Sequence, residues 1–204
     1  LESFTSSTCG PCVAGNQNTS AVMAAYSDDQ YSMLKYQMSW PGSGDPYYTA
    51  EGGDRRAYYN VNAVPDFIID GNVWQGNSSS VTNSQIDAVM ADPAFVSLSS
   101  YHVVDGQTVD FTVTINPLGD FQGPLTLYSA IFEYMTYNNV GSNGETQFSK
   151  VMKKMVPGSM GFNLGSLTDG QTVVENFSHS FQGSYTLPPD ANNPIDHNTQ
   201  HSVE

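Results

Sequence analysis

Cys9 and Cys12 are the two cysteines of the chain, and Gly10 and Pro11 separate them. Two thiols at this spacing can close a disulfide when they lie on the first turn of a helix. The free N–H groups at the start of a helix favour a thiolate over a thiol, and the thiolate is the species that attacks a disulfide. The pair therefore predicts disulfide exchange, with Cys9 as the attacking thiol and Cys12 as the resolving thiol.

Two other interpretations of the pair stay open. The cysteines could form a static disulfide that clips a turn, although so small a loop removes little chain entropy. They could also supply half of a metal site. Exchange chemistry requires that the outer sulfur reach solvent, and we expect this of Cys9.

Short-range patterns predict the elements that must position the pair. Residues 1–4 form a strand, and residues 13–26 form a helix whose periodicity is weakened by Gly15 and a polar run. A second strand is predicted over residues 31–38. A second helix, capped by Thr49, is predicted to extend to about residue 59.

Val64-Pro65 precedes the next predicted feature. The apolar run 67–69, then Asp70 and Gly71, then a second short apolar run, indicate a β-hairpin. A proline at the mouth of a strand belongs at its first residue or in a cis turn. A further helix is predicted over residues 80–90.

The pattern changes after residue 94. There, β-rich runs alternate with turns of Gly, Asn, Asp and Pro, which is typical of an antiparallel sandwich. We therefore predict an α/β domain followed by an all-β domain. The β-rich runs are residues 96–103, 109–116, 125–137, 150–156 and 172–181.

Composition excludes some classes of partner. Six basic residues against twenty acidic residues give a formal net charge of −14, which repels phosphate backbones and excludes nucleic acid as a partner. No stretch approaches the roughly 20 apolar residues that span a bilayer. The chain begins with Leu1 rather than Met, which permits export after removal of a signal peptide.

One histidine pair has metal-ligand spacing. His197 and His201 are four residues apart, as on one face of a helix. Pro194 and the asparagine-rich surroundings argue against a stable helix there. We predict no metal site and no cofactor.

The order of these features resembles the thioredoxin fold without its first strand and helix. In thioredoxins a cis-proline loop faces the Cys-x-x-Cys motif, and Val64-Pro65 lies at the corresponding place in this chain. The dipeptide between the cysteines also matches thioredoxin itself. The resemblance implies a groove that is shaped by Pro65, with the backbone of Val64 available to an extended substrate peptide. We assign Trp40 and Asp66 to the same substrate groove.

A second resemblance rests on the segments Leu1-Glu2-Ser3-Phe4-Thr5, Gly44-Asp45-Pro46 and Tyr59-Asn60-Val61-Asn62-Ala63-Val64-Pro65, together with the β-rich second half. Over nearly the whole chain, the sequence is similar to the Omp28-related outer membrane protein family. This resemblance implies a thioredoxin-like domain at 1–92 and an immunoglobulin-like sandwich at 94–204. It also implies a bacterial protein of the periplasm, the outer membrane or the medium. Family members continue past Glu204 into another strand, so we expect a processed or truncated molecule whose sandwich lacks its final strand.

Three positions depart from thioredoxins. Ser3 stands where they carry a buried acidic residue, and Thr8 stands where they carry tryptophan. Asp66 brings a carboxylate near Cys9, which disfavours its thiolate. The leading hypothesis is an exported thiol–disulfide oxidoreductase that acts on protein thiols or disulfides. The departures favour the alternative, a non-catalytic cell-surface or secreted binding module on a thioredoxin-like scaffold.

Overall fold

The computed structural model describes residues 1–137, 139, 141–181, 184–186 and 194–196. Over these residues the protein is mixed α/β with few helices. It has one six-stranded mixed sheet, one three-stranded sheet and two two-stranded sheets. At this level of detail the predicted combination of an α/β segment and a β-rich segment is confirmed. The end of the chain, including His197 and His201, lies outside the described residues.

Helices and short strands alternate in residues 1–92. The helix after the cysteines begins at Gly10, earlier than predicted, because Cys9 caps it and Pro11 is accommodated in its first turn. Short 3-10 turns occupy Asp70–Asn72 and Ser78–Ser80. The elements in chain order are β1 (Glu2–Thr5), α1 (Gly10–Met23), β2 (Leu34–Gln37), α2 (Ala50–Tyr58), β3 (Asp66–Ile69), β4 (Trp74–Gly76) and α3 (Asn83–Met90).

Strands make up the regular structure of the described chain after residue 94. None of the described helices has the length and apolar character needed to cross a membrane. The strands in chain order are β5 (Val96–Asp105), β6 (Thr108–Pro117), β7 (Phe121–Leu127), β8 (Ser129–Tyr137), β9 (Gln147–Val156), β10 (Phe162–Leu167), β11 (Val173–Ser180), β12 (Ser184–Thr186) and β13 (Pro194–Asp196).

The six-stranded sheet has the order β4-β3-β1-β2-β9-β8. β1 pairs in parallel with β2, so that Phe4 lies opposite Tyr36, and β3 runs antiparallel to β1. β3 and β4 form the predicted hairpin. Because β1 leads into the cysteines, the sheet fixes the start of α1.

β8 and β9 differ from the prediction, which assigned them to the sandwich. β9 instead pairs in parallel with β2, and β8 pairs with β9 at the edge of the six-stranded sheet. Val151, Met152 and Met155 of β9 are at most 1% exposed, as expected of a strand that is covered on both faces. The sheet thus joins strands from both sides of the predicted division at residue 93, and that division stays a prediction.

The remaining strands form smaller antiparallel sheets. β5 and β11 flank β6 in one sheet, and β7 pairs with β10 in another. Val113 and Ile115 of β6 share an apolar cluster with Leu127 of β7 and Leu167 of β10. These two sheets therefore bury a common core.

Apolar side chains cover both faces of the six-stranded sheet. Successive residues of a strand point to opposite faces, and in β3 Ile68 joins the cluster that contains Phe4 and Tyr36. Phe67 and Ile69 join a cluster that includes residues of α1 and α3. Helices α1 and α3 therefore cover one face, and the segment that follows α2 covers the other.

A buried ion pair joins β1 to α2. Arg55 donates from Nε and Nη2 to the two carboxylate oxygens of Glu2, at 2.7 and 2.8 Å. The hydroxyl groups of Tyr36 and Tyr59 donate to the same carboxylate. Burial acts to raise the pKa of Glu2, but the hydrogen bonds and the charge of Arg55 outweigh it, and the pKa is lowered.

We expect Arg55→Met to destabilise the protein by about 3–5 kcal/mol, because it leaves a buried carboxylate without its partner. In the wild type, Glu2 contributes its full stabilisation at pH values above 4.5, which is the ordinary pKa of this side chain. That stabilisation is lost as the pH falls through the lowered pKa of Glu2 in the folded protein. Urea unfolding at several pH values measures both effects. Arg56→Met is the matched control: it removes the same charge from α2, one hydrogen bond to the Val61 carbonyl and a cation–π contact with Trp40, for about 1–2 kcal/mol. Equal losses in the two variants would contradict the assignment.

Candidate redox site

Cys9 and Cys12 form a disulfide whose Cα atoms are 5.3 Å apart. Cys9 is the N-cap of α1, and its Sγ accepts a hydrogen bond from the backbone N–H of Cys12 at 3.2 Å. In the reduced protein, the same N–H and the positive end of the helix would stabilise a Cys9 thiolate. The described residues contain no cluster of three or more histidine, cysteine, aspartate or glutamate side chains that could hold a metal ion.

The predicted proline loop lies against this disulfide. The Sγ of Cys9 is 3.5 Å from the carbonyl oxygen of Val64, and the Val64-Pro65 peptide bond is cis. A reduced Cys9 thiol in this position has the Val64 oxygen as an acceptor. Four of the predicted site residues, the two cysteines with Val64 and Pro65, are therefore neighbours.

Gly15 makes that neighbourhood possible. A Cβ added to Gly15 would lie 2.9 Å from both Pro65 Cγ and Ser78 Cβ, which is closer than carbon atoms pack. The glycine therefore lets the Pro65 ring contact α1 one turn after the cysteines. In the sequence, Gly15 only weakens the helical pattern. Its role in the structure depends on the contact with Pro65, which is fifty residues later in the chain.

Trp40 and Asp66 have partners elsewhere. The Trp40 ring lies under the guanidinium group of Arg56, with 4.9 Å between the guanidinium carbon and the ring centroid. Asp66 accepts hydrogen bonds from Gln75 Nε2 at 2.8 Å and from the Phe67 N–H at 3.0 Å. Burial raises the pKa of Asp66, and these two hydrogen bonds oppose the rise. Neither residue makes a described hydrogen bond to the cysteines, so their assignment to a substrate groove stays a prediction.

Both sulfurs are covered in the oxidised protein. Cys9 is 1% exposed and Cys12 is 0% exposed, so the expectation that the outer sulfur reaches solvent is wrong for this state. Gly10 and Pro11 between them are exposed. The disulfide therefore lies just beneath the surface.

The loop between β8 and β9 binds the backbone around Cys9. The backbone N–H of Asn143 donates to the Ser7 carbonyl at 3.0 Å, and its Nδ2 donates to the carbonyls of Ser6 and Cys9 at 3.2 and 3.1 Å. A Cβ added to Gly141 would lie 2.1 Å from the Ser7 carbonyl oxygen. The β8–β9 loop thus binds the backbone that leads into α1, a contact for which the sequence carries no local signal.

Asp45 holds the same segment from another direction. Its buried carboxylate accepts hydrogen bonds from the N–H of Ser7 at 2.9 Å, from the N–H of Tyr47 at 2.8 Å and from Asn139 Nδ2 at 3.2 Å. Burial raises the pKa of Asp45, and the two backbone N–H groups oppose the rise. One side chain thereby ties the residues before Cys9 to the β8–β9 loop.

Comparisons with known proteins add no assignment to this site. No protein-family model matches the chain, and no curated protein or solved structure matches it. The resemblance to thioredoxins and to the Omp28-related family therefore stays a prediction, and the function must be argued from the geometry.

We expect Gly15→Ala to destabilise the oxidised protein by about 1–3 kcal/mol through overpacking against Pro65 and Ser78. The better helix propensity of alanine offsets at most about 1 kcal/mol of this cost. Gly10→Ala is the matched control in the same helix, because nothing lies within 4 Å of its added Cβ. Chemical denaturation of both variants measures the difference. Equal stability in the two variants would show that the Gly15–Pro65 contact is unimportant.

Proposed function

We propose that the protein is an exported thiol–disulfide oxidoreductase that exchanges disulfides with proteins through Cys9 and Cys12. The observation that supports this most directly is the surroundings of the Cys9 sulfur. It caps a helix, accepts the Cys12 N–H at 3.2 Å and lies 3.5 Å from the Val64 carbonyl oxygen. The helix N-terminus and the Cys12 N–H favour a thiolate when Cys9 is reduced, while the Val64 carbonyl oxygen can accept a hydrogen bond from the protonated thiol.

The exchange proceeds in two steps. The Cys9 thiolate attacks a protein disulfide, a mixed disulfide forms, and one substrate thiolate leaves with the electron pair of the broken bond. Cys12 then loses its proton and attacks Cys9, so that the Cys9–Cys12 disulfide forms and the second substrate thiolate leaves. The substrate is reduced by two electrons, and the cysteine pair is oxidised by two.

The topology supports a thioredoxin-like assignment for the first segment. β1 and β2 are parallel and joined through α1, β3 is antiparallel to β1, and the β3–β4 hairpin follows Pro65. β9 lies parallel to β2 at the edge where the first strand of a thioredoxin would pair. We propose that β9 replaces this missing strand. The packing of the sheets β11-β6-β5 and β10-β7 on one core supports an immunoglobulin-like sandwich in the same way.

The resemblance to the Omp28-related family supports the remaining parts of the proposal. Its members are exported bacterial proteins, and we propose the periplasm, the outer membrane or the medium as the location of this chain. An extended substrate peptide beside Val64 would carry its disulfide to the neighbouring sulfur of Cys9. Protein thiols and disulfides are the partners that this arrangement suits.

One observation favours a second candidate function. Cys9 is 1% exposed, and the β8–β9 loop is hydrogen bonded to its carbonyl. A disulfide so covered suits a non-catalytic binding module in which the first segment is a scaffold. Tyr101 of β5 is 70% exposed and Leu98 is 59% exposed, which gives the second segment an apolar surface for recognition.

Insulin reduction with dithiothreitol separates the two candidates. We expect the wild type to accelerate the reaction, Cys9→Ser to lose the acceleration, and Cys12→Ser to accumulate a mixed disulfide with insulin. The two variants are matched, since each lacks one sulfur of the same disulfide. If Cys9→Ser reacts like the wild type, the oxidoreductase is the wrong choice. A reduction potential well below about −300 mV would favour the binding module, because ordinary thiol pools would not reduce the pair.

A further inference from the structure

A cavity of about 540 Å³ lies where the three-stranded sheet meets the six-stranded sheet. The two sheets pack together through Val109 of β6, Ile131 of β8 and Val156 of β9. Beside this contact, the cavity is lined by residues of β5 and β6, by the junction of β7 and β8, by the segment that leads into β2, and by Lys150 of β9. Small-molecule sites in proteins enclose roughly 300–1,000 Å³, so the cavity has the size of a ligand site.

One wall of the cavity is an apolar face that the protein leaves uncovered. Leu98 of β5 lies directly opposite Ile115 of β6, and opposite residues of an antiparallel pair point to the same face of the sheet. Ile115 is 1% exposed in the core that β6 shares with β7 and β10, whereas Leu98 is 59% exposed. β5 therefore extends past that core, and the cavity is open to solvent beside Leu98.

The rest of the lining is mostly apolar and comes from several elements. Ligand sites of this kind have mainly apolar walls and a few polar groups that orient the ligand. The polar groups here include the hydroxyls of Ser100 and Ser129 and the imidazole of His102. The apolar side chains include Met33, Phe111, Val113, Leu127, Ile131 and Phe132.

Lys150 places an ammonium group on this lining. Its side chain is 13% exposed, and its Nζ lies 4.7 Å from the centre of the Tyr31 ring and 3.6 Å from Asp28 Oδ1. The contact with Asp28 is longer than a hydrogen bond, and the Asp28 side chain is 69% exposed. Because an ammonium group has three N–H donors, Lys150 keeps donors available for an anion inside the cavity.

The backbone of Lys150 is unusual for a residue in a strand. Its φ is 56°, in the left-handed region that residues other than glycine seldom adopt. In the β8–β9 ladder, Ser149 pairs with Met135 and Val151 pairs with Glu133, and the pairing skips Lys150 between them. Strained conformations of this kind occur preferentially at ligand sites. Here the strain falls on the residue that brings the ammonium group to the cavity.

We propose that this cavity binds a small amphipathic acid. The apolar body of the ligand lies against β5 and β6, and its anionic group accepts hydrogen bonds from Lys150 Nζ in place of the exposed Asp28 carboxylate. In a chain with a formal net charge of −14, the binding of an anion depends on such a local cation. The lining includes neither cysteine, so the inference goes beyond the proposed exchange and does not rest on it.

Two fluorescent probes with the same rings test the inference. The probe 1-anilinonaphthalene-8-sulfonate carries an anionic group, and N-phenyl-1-naphthylamine lacks it. In titrations of the full chain, we expect Lys150→Met to weaken binding of the sulfonate probe at least about 10-fold, the effect of losing a hydrogen bond to a charged group, and to leave the neutral probe within about two-fold. Lys154→Met is the matched control, because it removes the same charge from β9 where the lysine pairs with Glu51 instead.

Two further variants change exposed positions, so they keep the test decisive even if Lys150→Met fails to fold. Asp28→Asn removes the competing carboxylate and should tighten binding of the sulfonate probe alone. Ser100→Trp fills the cavity and should weaken binding of both probes. Ser97→Trp is its matched control, since Ser97 is an exposed residue of β5 on the opposite face of the strand.

A natural class of ligand is tested by competition. Decanoate, an aliphatic carboxylate, should displace the sulfonate probe, and 1-decanol should displace it more weakly. Three outcomes would overturn the inference: no saturable binding of the sulfonate probe to the wild type, equal losses for the two probes in Lys150→Met, or unchanged binding in Ser100→Trp. Because neither cysteine lines the cavity, each result is independent of whether the chain exchanges disulfides.

Discussion

The parallel pairing of β9 with β2 is the constraint on which the site depends. β9 also pairs with β8, so fixing β9 beside Lys35 fixes the loop between the two strands. Asn143 in that loop then bonds to carbonyls that are 134 and 137 residues earlier in the chain. One strand therefore joins β8 to the rest of the sheet and brings a polar loop to the cysteines.

This arrangement gives the disulfide two opposing properties. The helix N-terminus and the Cys12 N–H favour a reactive Cys9 thiolate, and the cis Val64-Pro65 peptide lies beside the sulfur. The β8–β9 loop is hydrogen bonded to the backbone around Cys9, and the sulfur is buried. An exchange protein would accept its substrate beside Val64, while a binding module would keep the bond covered. The two proposed functions differ in which property prevails.

Much of the local structure could be predicted from the sequence. The β3–β4 hairpin follows Pro65, helices lie after the cysteines and after Thr49, and the coarse combination of α/β and β-rich segments is confirmed. The site could be predicted only in part. In the sequence, Gly15 only weakens a helical pattern, and Asp45 is only part of a segment that carries a family resemblance. Both act through contacts with distant residues, and no pattern of neighbouring residues predicts such contacts. Family membership and function stay predictions.

The sequence by itself predicted a cysteine pair at the start of a helix, spaced so that it can close the disulfide that the structure contains. That outcome depends on their spacing and on the capping of α1, and both are local properties. Only the tertiary structure decided that β9 joins the first sheet, that Cys9 is buried and that the β8–β9 loop is hydrogen bonded to the segment around the cysteines. The physical reason is that strand partners and loop contacts are selected by complementary surfaces from distant parts of the chain, while periodicity specifies only which face of each strand is apolar.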